Sequence, residues 1–535
     1  MMKKNRIKYL PEALLILSFL VCLHPGFGQR WIEEHARAVI TPYQIQQSVN
    51  YLASDSLKGR GTPGPGLDSA ASYIARQFAA YGIAPLKGGY FQDLQYCTFD
   101  LGSDLFLSVV KDLETINFEL QKDFIPFEHT GSLPAEGDIV FAGYGITAPE
   151  YHYDDYRDID VQGKIVAVLR LEPGQSDSTQ PLFKGKELTR YAGLTEKQLN
   201  ARKHGAVGVL VISGPLNYKS LKPEGYNWPS LPSVSAKIAS PMGYCNSERD
   251  NIPMVSIGES LIKELFGSAD TLKRMQQHIE HDMQPHSFLI PGKTMAMNIV
   301  LASKPIGGRN VIGYIRGSGE EKPGEAIIVG AHYDHIGYLK QHKADSDYIF
   351  NGADDNASGT SGMLAVARAF ASMPNPPERS VIFIAFAGEE RGLLGSGTYI
   401  RQPWWPLANT EAMINLDMIS RNNPDSLEII GARQNPDLMK IIRKQNKRVG
   451  FKLAEDKSEL MDPGSDHYNF YKKGIPDIFF FTGLHQDYHK VTDSPGRINA
   501  EKASRVARLA FMTAWTIANE HKHYKVILPK AGMPD

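Results

Sequence analysis

The segment SVIFIAFAGEE, residues Ser380 to Glu390, governs the interpretation of the whole chain. Its apolar run from Val381 to Ala387 has the length and character of a strand that is buried on both faces of a sheet. Two adjacent carboxylates, Glu389 and Glu390, follow the run at once. Like charges side by side repel each other unless a positive group lies between them or near them. The segment therefore predicts a core strand whose end requires a positive group from elsewhere in the chain.

The part of the chain from about Asn298 onward alternates strand-length apolar runs with helical stretches. The other apolar runs are EAIIVGAHYDH, AMINLDM and PDIFFFTG, and the helical stretches are SGTSGMLAVARAFASM, NPDLMKIIRKQNKRVG and AEKASRVARLAFMTAWTIANEH. Such alternation, with strands that are almost continuously apolar, is typical of an α/β protein. We therefore predict an α/β fold with a mixed, mostly parallel sheet sandwiched by helices.

The length of the chain indicates more than one domain. With 535 residues it exceeds what one hydrophobic core usually organises, so we expect two domains, with one inserted in the other. Residues 133–266 are the candidate insertion, because glycine-bounded strand runs such as GDIVFAGYGI and VQGKIVAVLRLEPG make this part β-rich. The formal net charge of −1 offers no basic excess, which argues against a nucleic-acid partner.

The N-terminus has the pattern of a signal peptide. Basic residues between positions 3 and 8 precede an apolar run from Ala13 to Leu23, and small residues before Gln29 suit cleavage. We predict a signal peptide over residues 1–28 and an exported protein, periplasmic or secreted, with no membrane span in the mature chain. An uncleaved anchor is disfavoured because the run is short. Lipid attachment at Cys22 is disfavoured by the large Val21 before it, but it stays open.

Two cysteines, Cys97 and Cys245, follow the predicted cleavage site. Two cysteines this far apart form neither a disulfide framework nor a metal site. They either pair in an oxidising compartment or are both buried thiols, and the sequence leaves both possibilities open.

Imidazole and carboxylate groups follow four of the apolar runs, and functional groups of open α/β sheets gather beyond the carboxyl ends of the strands. The candidates are His332, Asp334, His335, Asp354, Asp355, Glu389, Glu390, Asp417, His485, Asp487, His489 and Asp493. Each one alone is more typical of a helix cap, a turn or a solvated surface. Their common sheet edge changes that interpretation. A set without cysteine suits zinc or a similar divalent ion, and so many carboxylates predict more than one cation.

Two other chemistries receive little support from the sequence. DSDYIFNGADDN is acidic enough for calcium, but it lacks the glycine position and the terminal Glu of an EF-hand loop. The chain also lacks the G-x-S-x-G pattern of a nucleophilic serine.

The ordered motifs of the chain resemble those of metallopeptidase family 28. They are GAHYDHIG, NGADDNASGTSG, FAGEERGLLGS, NLDMIS, GSDHYNF and YHKVTD, and LKGRGTPGPG with YIARQFAAYGI resembles the N-terminal portion of the family. The resemblance implies a zinc-exopeptidase fold of the phosphorylase/hydrolase-like type, with residues 29–132 and 267–535 in the peptidase domain. GKIVAVLRLEPG and ARKHGAVGVLVISG, in residues 133–266, are similar to a protease-associated domain.

The same resemblance implies roles for particular residues. Two zinc ions would share Asp355, which we prefer to Asp354 because it directly precedes the NASG helix start. His332 and Asp417 would complete the ligands of one zinc, and Glu390 and His489 those of the other.

Three further residues would take part in catalysis without binding metal. Asp334 would orient His332, and Glu389 would be the general base for a hydroxide that bridges the two metals. Tyr488 is a candidate donor to the developing oxyanion, although a packed aromatic side chain is an equal interpretation. His467 is expected to support the site without binding metal.

The preferred function is therefore a di-zinc aminopeptidase that removes N-terminal residues from peptides. A carboxypeptidase of the same fold stays open, although no cationic cluster for a terminal carboxylate is identifiable in the sequence. A non-catalytic peptide-binding module is a second alternative. The pattern of residues indicates neither side-chain specificity nor oligomeric state.

Overall fold

The structure, a computed structural model, describes residues 25–175, 182–183, 185, 188–226, 228, 242–245, 251–320, 324–339, 342–343, 346–458 and 461–528. The predicted cleavable segment and Cys22 lie outside these residues, except that residues 25–28 belong to the first described helix. None of the described helices combines the length and the apolar character that a transmembrane span requires.

The helices, numbered in chain order, are α1 (Pro25–Val39), α2 (Pro42–Leu52), α3 (Pro65–Ala80), α4 (Leu194–Lys203), α5 (Glu259–Phe266), α6 (Ala269–Asp282), α7 (Gly359–Ala371), α8 (Leu394–Arg401), α9 (Pro436–Val449), α10 (His467–Tyr471) and α11 (Ala500–Asn519). The strands are β1 (Ala84–Pro85), β2 (Phe91–Asp93), β3 (Tyr96–Leu101), β4 (Phe106–Lys111), β5 (Glu114–Asn117), β6 (Phe124–Pro126), β7 (Pro134–Ala142), β8 (Thr147–Ala148), β9 (Tyr153–Asp154), β10 (Ile165–Leu169), β11 (Gly208–Ile212), β12 (Met242–Tyr244), β13 (Met254–Ile257), β14 (Ser287–Asn298), β15 (Leu301–Pro305), β16 (Arg309–Ile315), β17 (Ala326–His332), β18 (Ser380–Phe386), β19 (Thr410–Leu416), β20 (Ser426–Ile430), β21 (Lys452–Glu455) and β22 (Asp477–Phe481).

The chain divides into two compact units. Unit 1 comprises residues 1–94 and 307–535, of which the structure describes the ranges given above, and unit 2 comprises Gln95–Ile306. Unit 1 holds one mixed sheet in the order β1-β16-β18-β17-β19-β22-β20-β21, with β2 also paired to β16. Its centre is parallel, since β17 pairs in parallel with β18 and β19, and β19 pairs in parallel with β22.

Helices cover both faces of the central sheet of unit 1. Alternate residues of a strand point to opposite faces, and in β18 the ring of Phe383 lies 6.3 Å from Phe78 of α3. The ring of Phe386, on the opposite face, lies 6.1 Å from Phe470 of α10. All residues of β17 and β18 are buried. Burial on both faces explains why these strands read as continuous apolar runs. The predicted α/β class with a mixed sheet between helices is confirmed; the central pairings are parallel, whereas β16 with β18 and β20 with β22 pair antiparallel.

Unit 2 contains an eight-stranded sheet in the order β5-β4-β14-β7-β10-β11-β13-β6, a three-stranded sheet β12-β3-β15 and a small β8-β9 pair. The parallel strands β7, β10, β11 and β13 form the interior of the larger sheet. Apolar residues of both faces are buried in two clusters, one of which contains Ile165 and Leu210 and the other Val166 and Val209.

Unit 2 is wider than the predicted insertion at residues 133–266. The long strand β14 pairs with β4 on one side and with β7 on the other. Strand β15 likewise pairs with β3. These pairings draw residues 95–132 and 267–306, which we had expected in the peptidase domain, into unit 2. The hydrogen-bond partners of such strands are distant in sequence, so local patterns did not mark the boundary.

The two cysteines that the sequence left undecided form a disulfide in unit 2. Cys97 and Cys245 are joined with Cα atoms 4.8 Å apart. Strand pairing explains this contact. In the pairing of β12 with β3, Cys97 lies opposite Gly243, and Cys245 is two residues further along the chain. The bond closes a span of 148 residues.

Candidate metal centre

The parallel strands of unit 1 deliver the candidate ligands to one edge of the sheet. His332 is the last residue of β17, Asp417 directly follows β19, and Glu389 with Glu390 form a short helical turn just after β18. His489 lies in the loop that follows β22. Since the carboxyl ends of neighbouring parallel strands meet at one edge, residues up to 157 positions apart become neighbours.

One group of possible metal ligands consists of His332, Asp355 and Asp417, all buried. The Nε2 atom of His332 lies 3.4 Å from Oδ1 of Asp355 and 3.2 Å from Oδ1 of Asp417. Such separations suit atoms that surround one cation, because zinc–nitrogen and zinc–oxygen bonds are each about 2.0–2.2 Å long.

A second group consists of His335, Asp355, Glu390 and His489. The Nε2 atom of His489 lies 3.2 Å from Oδ2 of Asp355 and 3.0 Å from Oε2 of Glu390. Asp355 therefore presents a different carboxylate oxygen to each group. The structure brings together all five residues that the resemblance implied as ligands, and it adds His335.

The donor set fits divalent cations. Asp417 Oδ1 and His489 Nε2 are buried but make no hydrogen bond of ordinary geometry among the described residues. Buried polar atoms are normally paired, and an ion is one of the recognised reasons for an apparent exception. Oxygen and imidazole donors without thiolate are suited to zinc. The donor chemistry and the unpaired buried atoms therefore indicate the same side chains as possible metal ligands.

The environment of Glu389 differs from that of its neighbour Glu390. Burial first, and the nearby Asp417 after it, raise the pKa of Glu389 well above its ordinary value. Burial also raises the pKa of Glu390, but its hydrogen bond with His335 and the nearby His489 imidazole outweigh it and leave that pKa below its ordinary value. The two adjacent carboxylates therefore have different tendencies to hold a proton, which is the usual sign of different roles.

Glu389 lies beside the first ligand group. Its Oε2 atom is 4.0 Å from Nε2 of His332. Asp334 accepts a hydrogen bond from the backbone N–H of Glu389 at 3.1 Å and another from the hydroxyl of Thr62 at 3.1 Å. The Oδ1 atom of Asp334 is 3.7 Å from Nδ1 of His332, which is longer than a hydrogen bond. Asp334 thus holds the backbone at Glu389 directly and lies alongside the His332 ring.

Asp354 and Asp355 face different partners. One carboxylate oxygen of Asp354 accepts hydrogen bonds from the backbone N–H and the hydroxyl of Ser420, at 2.8 and 2.6 Å. The carboxylate of Asp493 accepts the backbone N–H groups of Asp354 and Asp355. These contacts occupy Asp354 away from the ligand groups and secure the backbone from which Asp355 reaches them. The arrangement agrees with the preference for Asp355 over Asp354.

Asp417 is oriented by a buried serine. The Ser465 hydroxyl donates to Oδ2 of Asp417 at 2.8 Å and accepts from the Asn415 amide at 2.7 Å. The other oxygen, Oδ1, is the one near His332. A carboxylate with one oxygen bound in this way has its remaining oxygen pre-oriented toward a metal.

Arg60 holds the backbone around the site, and the sequence interpretation did not single out this residue. Its fully buried guanidinium donates to the carbonyl oxygens of Tyr333, Asn351 and Gly352 at 2.7, 2.8 and 2.9 Å. Burial lowers the pKa of Arg60 to about 10, so the group stays cationic at neutral pH. It ties the end of β17 to the segment that leads to Asp355.

The aromatic side chain of Tyr488 stacks on the His489 ring with centroids 3.8 Å apart and lines the same cavity as Glu389. Burial, and then the charge of Asp355, raise the pKa of the Tyr488 phenol above its ordinary value, so it remains a hydrogen-bond donor at neutral pH.

His467 lies outside both ligand groups and packs against Phe479 with ring centroids 5.0 Å apart.

His335 is the residue of the cluster that the sequence interpretation left without a role. It is the second histidine of the HYDH run, one residue beyond Asp334. That second histidine was the feature of the sequence that could have indicated its role. Its Nδ1 atom lies 2.6 Å from Oε1 of Glu390. A carboxylate can only accept, so this ring nitrogen carries the hydrogen.

A sheet edge with two ligand groups around one shared carboxylate is the arrangement of a metal-dependent hydrolase. Residues 310–514 match the sequence model of Peptidase family M28, and this part of the chain belongs to that family. Over 422 residues the chain is 27% identical to "Aminopeptidase YwaD" of Bacillus subtilis (strain 168), which covers 76% of this chain and 73% of that protein.

The chain is also similar to two other proteins. The chain is 35% identical over 121 residues to a "Probable zinc metalloprotease" of Pyrenophora teres f. teres (strain 0-1), which covers 23% of this chain and 24% of that protein. Among solved structures, the "Aminopeptidase from Aneurinibacillus sp. strain AM-1" is similar at 20% identity and a TM-score of 0.47, covering 93% of this chain and 98% of that one.

Proposed function

We propose that the protein is a di-zinc aminopeptidase that hydrolyses the N-terminal peptide bond of its substrates. The observation that carries the proposal is Asp355, whose two oxygens face two separate ligand groups, with Glu389 beside the first of them. Membership of residues 310–514 in Peptidase family M28 supports peptide hydrolysis. The similarity to an aminopeptidase of Bacillus subtilis supports an aminopeptidase, and the similarity to a probable zinc metalloprotease of Pyrenophora teres f. teres supports zinc.

His332, Asp355 and Asp417 would hold one zinc ion, and Asp355, Glu390 and His489 the other. When bound, such ions supply Lewis-acid activation of a water molecule and of the scissile carbonyl. The remaining residues act on protons and orientation. Glu389 takes a proton from the attacking water onto its carboxylate and later delivers it to the leaving amine.

Burial disfavours the charged form of Glu389, whereas cations at the ligand groups would favour it, so the shuttle has access to both protonation states. Asp334 keeps the Glu389 backbone in place through its 3.1 Å hydrogen bond. The Tyr488 phenol, which lines the cavity as a neutral donor, is positioned to stabilise negative charge that develops on the carbonyl oxygen.

The cavity composition favours an aminopeptidase over a carboxypeptidase. Among the described residues that line it, none is Lys or Arg, whereas four carry carboxylates. No described Lys or Arg of the lining is therefore placed to pair with a substrate's terminal carboxylate, which a carboxypeptidase would have to bind. The position of Glu389 beside the first ligand group disfavours the binding-module alternative, because a passive peptide site has no need of a buried proton acceptor there.

We also propose that the protein is exported, periplasmic or secreted. The N-terminal pattern supports this, and so does the Cys97–Cys245 disulfide, since disulfides persist in oxidising compartments. For unit 2, the similarity to a protease-associated domain stays a prediction from the sequence.

Aminoacyl-p-nitroanilides and the same compounds with an acetylated amino group test the proposal. Hydrolysis is expected for the free-amine compounds, with loss on complete chelation and recovery on addition of zinc. The acetylated compounds should resist. Hydrolysis that survives verified metal removal would contradict the zinc mechanism, and rapid hydrolysis of acetylated compounds would contradict the aminopeptidase assignment.

A further inference from the structure

The ligand groups open into a cavity of about 250 Å³. His332, Asp355, Glu389 and Asp417 form one end of it. The walls beyond this end are apolar and consist of Met418, Phe479, Phe481 and Leu484. A peptide whose first carbonyl lies at the ligand groups would direct its first side chain along these walls.

The apolar wall is held firmly from behind. Phe479 and Met418 are buried, and the Phe479 ring packs between His467 and Phe481, with centroids 5.0 and 5.2 Å away. Complete burial lowers the pKa of His467 to about 3, so its ring is neutral and serves as packing surface. The wall therefore suits a long aliphatic chain.

The cavity lining also contains four carboxylates. Three of its four carboxylates have roles in the proposed function: Asp355 and Asp417 as ligands and Glu389 as base. The fourth, Asp462, has none. It lies on the outer part of the cavity, where its Oδ1 atom accepts the backbone N–H of Gly464 at 2.8 Å. This turn orients the side chain, and no described Lys or Arg of the cavity lining neutralises it.

We propose that Asp462 is a specificity-determining residue that selects peptides whose first residue combines a long aliphatic stem with a cationic tip, as lysine and arginine do. The stem lies along Phe479 and Phe481, and the tip meets the Asp462 carboxylate. An acidic first residue is repelled by the same group. This inference rests on the proposed aminopeptidase function and names the substrate class of the same cavity.

The size of the preference follows from the exposure of Asp462. The residue is exposed, so its attraction for a substrate cation is that of a surface ion pair and is weakened by salt. We expect about a fivefold preference for a cationic over a neutral side chain of equal stem length. An interaction of this kind should decline at high ionic strength.

Lysyl, norleucyl and glutamyl p-nitroanilides separate stem from tip, because norleucine has a stem like that of lysine but no charge. The test compares kcat/KM for the three compounds in the zinc-loaded wild type and in Asp462→Asn, which can keep the hydrogen bond from Gly464. The lysyl-to-norleucyl ratio should fall about fivefold in the variant, toward one. The norleucyl rate should change less than twofold, and the glutamyl rate should rise.

Asp347→Asn is the matched control, because Asp347 is an exposed carboxylate of unit 1 outside the cavity lining whose Oδ1 also accepts the backbone N–H two residues further on. It should leave the ratio unchanged. Equal lysyl-to-norleucyl ratios in the wild type and Asp462→Asn would overturn the inference about Asp462 while leaving the aminopeptidase proposal intact, provided that norleucyl hydrolysis is measured. A wild type that hydrolyses none of the three compounds would instead contradict the proposed function.

Discussion

The Nδ1 atom of His335 lies 2.6 Å from Oε1 of Glu390, and the two residues are 55 positions apart in the chain. The His335 ring is buried and is held on one side by Gly352, where an added Cβ would lie 2.5 Å from the ring carbon Cγ. Glu390 offers its other oxygen, Oε2, to His489 at 3.0 Å. His335 thus fixes one oxygen of a carboxylate whose other oxygen belongs to a ligand group.

His335→Ala is expected to weaken zinc binding at the Glu390–His489 site by about 10–100-fold, because a ligand that loses its orienting hydrogen bond holds metal less well. Competition with a chromophoric chelator measures the affinity of each site. His335→Asn is the matched variant, since its amide nitrogen can occupy the position of Nδ1 and should recover much of the affinity. Equal affinities in the wild type and His335→Ala would refute this role.

Glu389→Gln should keep both zinc ions and lose about 10²–10⁴-fold in kcat, because the amide cannot accept and return the proton. Metal content by elemental analysis and steady-state kinetics together check this. Glu390→Gln offers the contrast within the same turn, since it should lower zinc content first. A Glu389→Gln protein of nearly normal kcat would remove this residue from the mechanism.

His467 should make the metal-free protein sensitive to acid. Burial lowers its folded pKa from 6.5 to about 3, so between these values the unfolded chain binds a proton that the folded chain does not. Its contribution to stability is therefore complete above pH 6.5 and declines as the pH falls toward 3. At pH 5 the loss is about 2 kcal/mol relative to neutral pH.

His467→Phe retains an aromatic ring beside Phe479 and removes the titrating group. Chelated wild-type and variant proteins, unfolded with urea at pH 7.5 and pH 5, should differ by about 2 kcal/mol in the change between the two pH values. His342→Phe, which replaces an exposed ring, should follow the wild type. Parallel pH dependence in wild type and His467→Phe would show that His467 does not titrate as described.

Reduction of the Cys97–Cys245 disulfide should destabilise unit 2 by about 2–5 kcal/mol, because the bond closes a span of 148 residues and restricts the unfolded chain. Thermal unfolding with and without reductant measures the effect, and peptide mapping without reduction detects the cross-link. The double variant Cys97→Ser/Cys245→Ser should unfold at the same temperature in both conditions. A wild type that is indifferent to reductant would contradict a stabilising bond.

The strand runs of unit 1 could be read from the chain alone, since burial on both faces leaves β17 and β18 with almost no polar residue. The placement of His332, Glu389 and Asp417 beyond strand ends followed from the same runs. The resemblance to a peptidase family, carried by short motifs at those ends, is confirmed by the match over residues 310–514. Local patterns sufficed here because strand length and ligand chemistry are properties of adjacent residues.

The pairing of β14 with β4 and β7 was beyond such patterns, and so the extent of unit 2 was underestimated. The disulfide was also undecidable, because it depends on a strand pairing across 148 residues. His335 had no assigned role because nothing near it in sequence indicates the Glu390 carboxylate.

Residue types and their spacing along the chain thus determined the α/β class, the family and the chemical kind of the ligands, because these depend on short-range order. The tertiary structure decided which oxygen of Asp355 faces which ligand group, that Asp354 turns to Ser420 instead, and that Asp462 borders the apolar cavity. The physical reason is distance in space: each of these contacts joins groups from separate segments, and their relative positions exist only once the sheet and its loops have packed.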